Sequence, residues 1–136
     1  MAMVELKNIR KKLGGVDILN GVDLSVEEGE VVVILGPSGS GKTTLLRTIN
    51  FLGPADAGTI TVDGLTVDSQ KHHHKETLAL RRKTGMVFQN YNLFRNKNAL
   101  QNVTEGLVAG RHMPKAAAVE RGQQALAKVG MADRAA

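Results

Sequence analysis

The fold of this chain is decided by one glycine-rich stretch, Gly36-Pro37-Ser38-Gly39-Ser40-Gly41-Lys42-Thr43. It matches the pattern GxxxxGK[ST], in which a loop rich in glycine precedes a lysine and a hydroxyl residue. Glycine tolerates backbone conformations that are closed to residues with a side chain, so successive N–H groups of such a loop can face one anion. The stretch therefore predicts a phosphate-binding loop, or P-loop.

The residues after the loop predict a helix over 42–52, whose free N–H groups and dipole favour an anion at its start. Lys42 would bring its charge to the β- and γ-phosphates, and the Thr43 hydroxyl would ligate Mg²⁺. Thr44 offers a second hydroxyl toward the α-phosphate. The predicted nucleotide contacts are Ser38, Gly39, Ser40, Gly41, Lys42, Thr43 and Thr44.

Two apolar segments indicate a buried parallel sheet. Residues 31–35 read VVVIL without any alternation, which is typical of a strand covered on both faces. Residues 84–88 contain a second such strand, Met86-Val87-Phe88. With only two clear strands of this kind, the predicted parallel sheet is incomplete.

Alternating patterns elsewhere indicate antiparallel strands. Residues 3–9 and 16–26 predict strands, the latter with a turn at Asn20-Gly21, and Asp63-Gly64 predicts a tight hairpin. Helical spacing continues toward the end of the chain, with Pro114 well placed to begin a helix. The predicted class is α/β, with an antiparallel β subdomain, a partial mixed core sheet and flanking helices.

Composition narrows the function classes. The longest apolar run has five residues, far fewer than the roughly 20 of a membrane-spanning helix. The absence of cysteine excludes disulfides and thiolate metal sites. The net charge of +5 is scattered and aromatic residues are few, so we expect no nucleic acid partner. Three consecutive histidines, His72 to His74, could chelate a metal, but a solvated loop before a helix is the favoured interpretation.

Beyond the P-loop, the chain closely resembles the N-terminal half of ABC-transporter ATPase subunits. The resemblance rests on LNGVDLSVEEGEVVVILGPSGSGKTTLLRTINFL (19–52), ADAGTITVDG (55–64) and RRKTGMVFQNYNLF (81–94). It covers nearly all of residues 3–134 in order. Within the family, GMVFQ followed by NLF, together with NVTEGL, is most similar to importers of polar amino acids.

The resemblance implies roles for residues after the second buried strand. Gln89 falls where the family has its Q-loop glutamine, which implies a sensor of Mg²⁺ and the γ-phosphate with a part in catalysis beside Lys42. Tyr91, Leu93 and Phe94 become candidates for docking on membrane-spanning subunits. It also implies two parts, 1–88 with the β subdomain and P-loop core, and 89–136 with the Q-loop and the start of a helical subdomain. A second ATPase copy and a place on the cytoplasmic face of the membrane are implied as well.

Two departures from the family pattern matter. Where the family stacks adenine on an aromatic residue before a glycine, this chain has Leu13, with Val16 as a further apolar contact, so we expect weaker ATP binding. The family's LSGGQ signature, the apolar strand ending in Asp, the adjacent catalytic Glu and the switch His are absent from these 136 residues. We therefore expect a truncated chain that binds MgATP but hydrolyses little or none.

The sequence leaves other hypotheses about the function open. A non-transport ABC ATPase would need a long coiled-coil or basic insert after Gln89, and the short segment here argues against it. A P-loop kinase or GTPase would need an acceptor or guanine-reading motif, which we do not find. A non-catalytic nucleotide-binding interaction module remains the alternative to an importer ATPase.

Overall fold

A four-stranded antiparallel sheet organises the first part of the chain. In the computed structural model, which describes residues 1–136, the strands are β1 (Ala2–Leu13), β2 (Val16–Glu27), β3 (Ala57–Val62) and β4 (Leu65–Asp68). Their order in the sheet is β2-β1-β3-β4. The chain forms two compact units, Met1–Met86 and Val87–Ala136.

The β1–β2 hairpin turns at a pair of glycines. Gly14 and Gly15 have φ of 56° and 80°, the left-handed values that a two-residue hairpin turn requires. The turn predicted at Asn20-Gly21 is wrong, because β2 runs through it. Gly21, with φ of 80°, lies instead where the register shifts between the pairs Ile9–Val22 and Arg10–Asn20, so its backbone freedom serves a bulge.

The hairpin predicted at Asp63-Gly64 is confirmed. Val62 pairs with Leu65 across the turn, and both turn residues have positive φ, 46° and 77°. Ile60, one of the least exposed residues of the chain, pairs with Val67 farther along the ladder. The strands of this hairpin therefore present their apolar side to the core, as the alternation indicated.

The core of the first unit lies between the sheet and two helices, α1 (Lys42–Ile49) and α2 (His74–Arg82). The helices are amphipathic, and each buries one side against the sheet residues. The buried apolar cluster comprises Leu6, Ile9, Leu19, Leu45, Phe51, Ala55, Ile60, Val62, Val67 and Leu80. Burial of such side chains contributes about 1.5–3 kcal/mol each relative to exposure, so this cluster holds the unit together.

The buried parallel strands predicted at 31–35 and 84–88 do not form. Residues 31–37 and 84–88 have no strand geometry, and Val31, Val33 and Leu35 are 87%, 72% and 86% exposed. Ile34 is the residue of the first segment that packs against the core. The physical reason is that a strand needs ladder partners on its edges, and the four strands of the sheet pair only with one another. An apolar run carries no information about such partners.

The second unit is helical, apart from an irregular segment at its start. It contains α3 (Ala99–Glu105), a π-helical turn (Gly106–Gly110), α4 (Lys115–Lys128) and a short 3₁₀ helix (Ala132–Arg134). Asn98 caps α3 by accepting a hydrogen bond from the Gln101 N–H at 2.8 Å. Pro114 directly precedes α4, as its fixed φ predicted. None of the helices has the length and apolar composition needed to span a bilayer.

Candidate functional site

The P-loop is an exposed turn that leads directly into α1. Ser40 donates its backbone N–H to the carbonyl of Pro37 at 3.2 Å, which closes the turn. Gly39 and Gly41 have φ of 80° and 96°, a region that side chains disfavour. A Cβ on Gly36 would lie 2.8 Å from the Ser40 Oγ. Gly39 and Gly41 therefore adopt conformations that are unstrained for glycine, and these give the exposed loop its shape.

Packing against the sheet fixes the junction between the loop and α1. A Cβ on Gly41 would meet Ile18 Cγ2 at 2.9 Å and the Ile18 carbonyl oxygen at 3.3 Å. The loop backbone thus lies directly on β2, where Leu19 is part of the buried core. Ile18 was not among the residues predicted for the site, because an apolar residue in a strand carries no signal for such a role.

The Lys42 side chain folds back over the loop. Its ammonium donates to the carbonyl oxygens of Gly36 and Pro37, at 2.5 and 2.9 Å. The group is only partly buried and has no carboxylate among its hydrogen-bond partners. Neutral carbonyl oxygens of the loop therefore hold this cation beside the start of α1.

The start of α1 is well suited to an anion. Gly41 occupies the cap position without a side-chain hydrogen bond, and the first turn contains no acidic residue. No protein carboxylate therefore competes for the free N–H groups of the first turn. Thr43 is exposed and Thr44 partly buried in that turn. Ser38 and Ser40 are exposed in the loop itself, and Gly41 and Lys42 are partly buried where the loop meets α1.

Leu13 and Val16 lie at the tip of the β1–β2 hairpin. They face each other as partners on either side of the glycine turn, and they are 48% and 61% exposed. Val16 is two residues from Ile18, the residue against which the P-loop packs, and so about 7 Å of extended chain separates them. The hairpin tip thus offers an exposed apolar pair on the strand that supports the loop.

The remaining predicted site residues belong to the second unit. Gln89 is exposed in the irregular segment before α3. Tyr91, Leu93 and Phe94 are 94%, 67% and 49% exposed. These three side chains are not part of a local core, which was the alternative interpretation for them.

Asn102, which was not among the residues predicted for the site, holds this segment. The Asn102 side chain accepts the Phe94 backbone N–H at 2.7 Å and donates to the Phe94 carbonyl oxygen at 3.2 Å. It also donates to the carbonyls of Lys97 and Asn98. The Lys97 ammonium lies 4.9 Å from the centroid of the Phe94 ring, at cation–π distance. An asparagine within a helix gives no sequence signal for such a role.

The three histidines take separate positions. The His72 ring contacts Phe51 edge-on, with centroids 4.9 Å apart, and its Nδ1 is 3.0 Å from the Asp68 carbonyl oxygen. His73 is the cap residue of α2 and His74 is its first residue. No group of three or more His, Cys, Asp or Glu side chains converges on one point. The histidines thus contribute to local structure around the start of α2.

Two carboxylates outside the loop have a lowered pKa. The backbone N–H of Lys12 donates to Asp56 at 2.7 Å and, with the Lys11 ammonium at 3.5 Å, holds the pKa of Asp56 below its ordinary value. The backbone N–H groups of Gln70 and Lys71 lower the pKa of Asp68 in the same way. Both carboxylates therefore act as acceptors that fasten loops.

Comparison with known proteins places these features in a family. The ABC transporter family profile matches residues 19–136. A probable amino-acid import ATP-binding protein of Bacillus subtilis is 48% identical over 133 residues, which are 98% of this chain and 53% of that protein. An L-cystine transport system ATP-binding protein of Escherichia coli is 47% identical over 98% of this chain and 55% of its own length. The chain spans about half the length of the curated relatives it matches.

Solved structures agree with the sequence comparison. A dimeric ATP-binding cassette in a post-hydrolysis state, bound to ADP and Pi, superposes with a TM-score of 0.77 at 35% identity. The match covers 91% of this chain and 56% of that structure. The cbiO1 protein of Clostridium perfringens, part of an ABC transporter complex, gives a TM-score of 0.79 at 27% identity over 98% of this chain and 53% of that structure. The fold is thus the P-loop fold of ABC ATPases, as predicted, and the chain belongs to the ABC transporter family.

Proposed function

We propose that this chain is the nucleotide-binding part of an ABC importer ATPase that couples MgATP binding and hydrolysis to the uptake of a polar amino acid. The observation that carries the proposal is the P-loop at the start of α1. There, two left-handed glycines of an exposed loop lead into an uncapped helix start, and the Lys42 ammonium contacts carbonyls at the surface of the same loop. Such a surface suits the β- and γ-phosphates of a nucleotide.

In this proposal Lys42 changes partners when nucleotide binds. Its ammonium leaves the neutral carbonyls of Gly36 and Pro37 for phosphate oxygens. A phosphate oxygen attracts the ammonium through its negative charge as well as accepting its hydrogen bond, whereas a carbonyl oxygen has no net charge, so the exchange favours the bound state. The loop N–H groups and the start of α1 then surround the phosphates from the other side.

Mg²⁺ fits this site as a companion of the nucleotide. The exposed Thr43 hydroxyl supplies one oxygen ligand, and phosphate oxygens would supply others, as is usual for this ion. When bound, Mg²⁺ neutralises part of the phosphate charge. Gln89 is the proposed sensor of the ion and the γ-phosphate, a role that its exposed position in the second unit leaves open to a ligand.

The substrate class follows from the relatives. Their names describe import of amino acids, including L-cystine and, for a 45% identical protein of Escherichia coli, glutamine transport. The complete protein would accordingly lie on the cytoplasmic face of the membrane and act as a pair of ATPase copies, as in the dimeric structural neighbour.

Tyr91, Leu93 and Phe94 form the proposed docking surface for the membrane-spanning subunits. Three large apolar side chains exposed within four residues make the kind of surface that marks an interaction site. The Asn102 hydrogen bonds hold the Phe94 backbone in place before any partner arrives, which lowers the entropy cost of association.

The test is a calorimetric titration of the 136-residue chain with MgATP. Lys42→Ala should weaken binding at least about tenfold, because a charged hydrogen bond contributes roughly 1.5–3 kcal/mol. Lys115→Ala is the matched control, since Lys115 is also the first residue of a helix but lies far along the chain in α4. Equal affinity of the parent chain and Lys42→Ala would refute the proposal.

A second measurement addresses turnover. The 136 residues contain no candidate for the carboxylate that activates the attacking water, so we propose that they bind MgATP without hydrolysing it above background. Phosphate release that exceeds contaminant controls and disappears in Lys42→Ala would contradict this part of the proposal.

A further inference from the structure

The end of α1 opposite the P-loop has an unusual termination. Phe51 follows the cap residue Asn50 and adopts φ of 59°, a left-handed conformation that glycine normally provides at this position. Its side chain is nevertheless buried, with 2% exposure. Left-handed backbone costs a residue with a side chain about 1–2 kcal/mol, so other contacts must hold Phe51 in place.

Some of these contacts are local. The Phe51 N–H donates to the Thr48 carbonyl at 3.4 Å, and the Gly53 N–H donates to the Arg47 carbonyl at 3.1 Å. The Leu52 N–H donates to the Asn50 side chain at 3.2 Å. These bonds occupy the last turn, but they leave the carbonyls of Asn50 and Phe51 pointing away from the helix without an intrahelical donor.

Arg81 of α2 supplies the missing donors. Its Nε donates to the Asn50 carbonyl oxygen at 3.0 Å, and its Nη2 donates to the Phe51 carbonyl oxygen at 2.9 Å. The fixed fork of a guanidinium can span two successive carbonyls, whereas a lysine ammonium offers a single centre. The preceding residue, Leu80, is fully buried, so the position of Arg81 on its helix is well anchored.

The charge of Arg81 also acts along α1. A helix carries a partial positive charge at its start and a partial negative charge at its end, and a cation at the end stabilises this arrangement. The eight residues of α1 span about 12 Å, so both ends belong to one short rigid body. The loop contact at Gly41 and the Arg81 contact hold its two ends.

We propose that Arg81 is a positioning residue for nucleotide binding: it holds the end of α1 so that Lys42 and Thr43, at the other end, stay aligned on the phosphates. The inference rests on the proposed function. It assigns Arg81 no contact with the nucleotide, and it differs from a purely structural role because loss of Arg81 should affect the β- and γ-phosphates selectively.

The experiment compares Arg81→Gln with Arg82→Gln. Both variants remove one arginine charge from the last turn of α2, but the two carbonyl hydrogen bonds described above come from Arg81. Binding of MgATP is measured by titration, and binding of AMP by competition, under conditions where circular dichroism shows every variant folded. AMP lacks the β- and γ-phosphates, so the ratio of the two affinities isolates the interactions that Lys42 and Thr43 make.

Arg81→Gln should weaken MgATP binding about fivefold or more and change AMP binding by less than about twofold, while Arg82→Gln changes neither by more than about twofold. In a Lys42→Ala background the effect of Arg81→Gln on MgATP should largely disappear, although residues this far apart normally act additively. Arg81→Lys keeps the charge but lacks the forked guanidinium, so its MgATP affinity should lie between those of Arg81→Gln and Arg82→Gln. It also serves as the test if Arg81→Gln does not fold.

Three results would overturn the inference. The first is unchanged MgATP affinity in Arg81→Gln, or in Arg81→Lys if only that variant folds. The second is an equal loss of ATP and AMP binding, and the third is full additivity with Lys42→Ala. If the parent chain itself does not bind MgATP, the proposed function and this inference fail together. If the parent chain binds MgATP and any of the three results is obtained, the inference is wrong and the proposed function is not contradicted.

Discussion

The Lys42 ammonium lies 2.5 Å from the carbonyl oxygen of Gly36, the first residue of the phosphate-binding loop. The lysine that would meet the phosphates is thus held against the loop by two neutral carbonyl oxygens, those of Gly36 and Pro37. An anionic phosphate oxygen attracts an ammonium more strongly than a neutral carbonyl oxygen does, so an exchange of partners would favour nucleotide binding.

Gly41 should tolerate alanine worse than Gly39. Both have left-handed φ, so alanine costs each about 1–2 kcal/mol of strain. Only at Gly41 does the new Cβ meet a neighbour, Ile18 Cγ2 at 2.9 Å, which adds about 1–3 kcal/mol of overpacking. Urea unfolding of both variants measures the difference in unfolding free energy. Equal destabilisation would show that the loop does not rest on β2 in solution.

An aromatic residue at the hairpin tip should strengthen nucleotide binding. Leu13→Tyr places a ring where the exposed Leu13 now stands, and base stacking contributes roughly 1–3 kcal/mol, which predicts MgATP binding tighter by about fivefold or more. Affinity for tripolyphosphate, which has no base, should stay the same. A parallel gain for tripolyphosphate, or no gain for MgATP, would place the adenine away from Leu13.

Acid should destabilise the chain partly through Asp56. Its pKa is lowered from the ordinary 3.8, mainly by the Lys12 N–H, so its stabilising effect is complete above 3.8 and is lost as the pH falls through the lower folded pKa. Asp56→Asn should therefore flatten the fall of melting temperature between about pH 5 and pH 3. Asp68→Asn should act in the same direction. Parallel melting curves for the parent chain and both variants would contradict this.

The different exposure of Val33 and Ile60 predicts a small and a large change in unfolding free energy when each is substituted. Val33 is 72% exposed, so Val33→Ser should change the unfolding free energy by no more than about 0.5 kcal/mol. Ile60 is fully buried, and Ile60→Ala should cost about 2–5 kcal/mol. Chemical denaturation of both variants provides the comparison. A large cost at Val33 would indicate that residues 31–35 are covered in solution.

The contact between α3 and α4 depends on Gly122. Helix propensity alone favours alanine there by about 1 kcal/mol, but the added Cβ would lie 2.6 Å from Thr104 Cγ2 and 2.9 Å from Leu100 Cδ1. Overpacking should cost about 1–3 kcal/mol and outweigh the gain in helix propensity, so we expect Gly122→Ala to lower the melting temperature.

The control for Gly122 is Gly106→Ala. Gly106 has φ of −64° and nothing within 4 Å of its Cβ position, so alanine should stabilise by about 0.5–1 kcal/mol through the unfolded state. Stabilisation by both substitutions would mean that the two helices are packed more loosely than described.

Much of the structure of this protein could be predicted from its sequence, because the signals that specify it are local. The pattern from Gly36 to Thr43 specifies a loop and a helix start through backbone freedom and capping, which depend on neighbours in sequence. The hairpin at Asp63-Gly64 and the helix after Pro114 formed for the same reason. The family resemblance, carried by ordered segments along the whole chain, was confirmed by the comparisons.

Tertiary structure alone decided what depends on distant partners. The apolar run at 31–35 looked like a buried strand, but strands exist only where another segment supplies the ladder, and none does here. Gly21 became a bulge because β1 continues beside it, and Arg81 gained its role from the carbonyls of Asn50 and Phe51, 31 and 30 residues earlier. The sequence by itself determined the phosphate-binding motif and the family. The tertiary structure decided what supports that motif, because hydrogen bonds between residues far apart in sequence leave no local pattern to read.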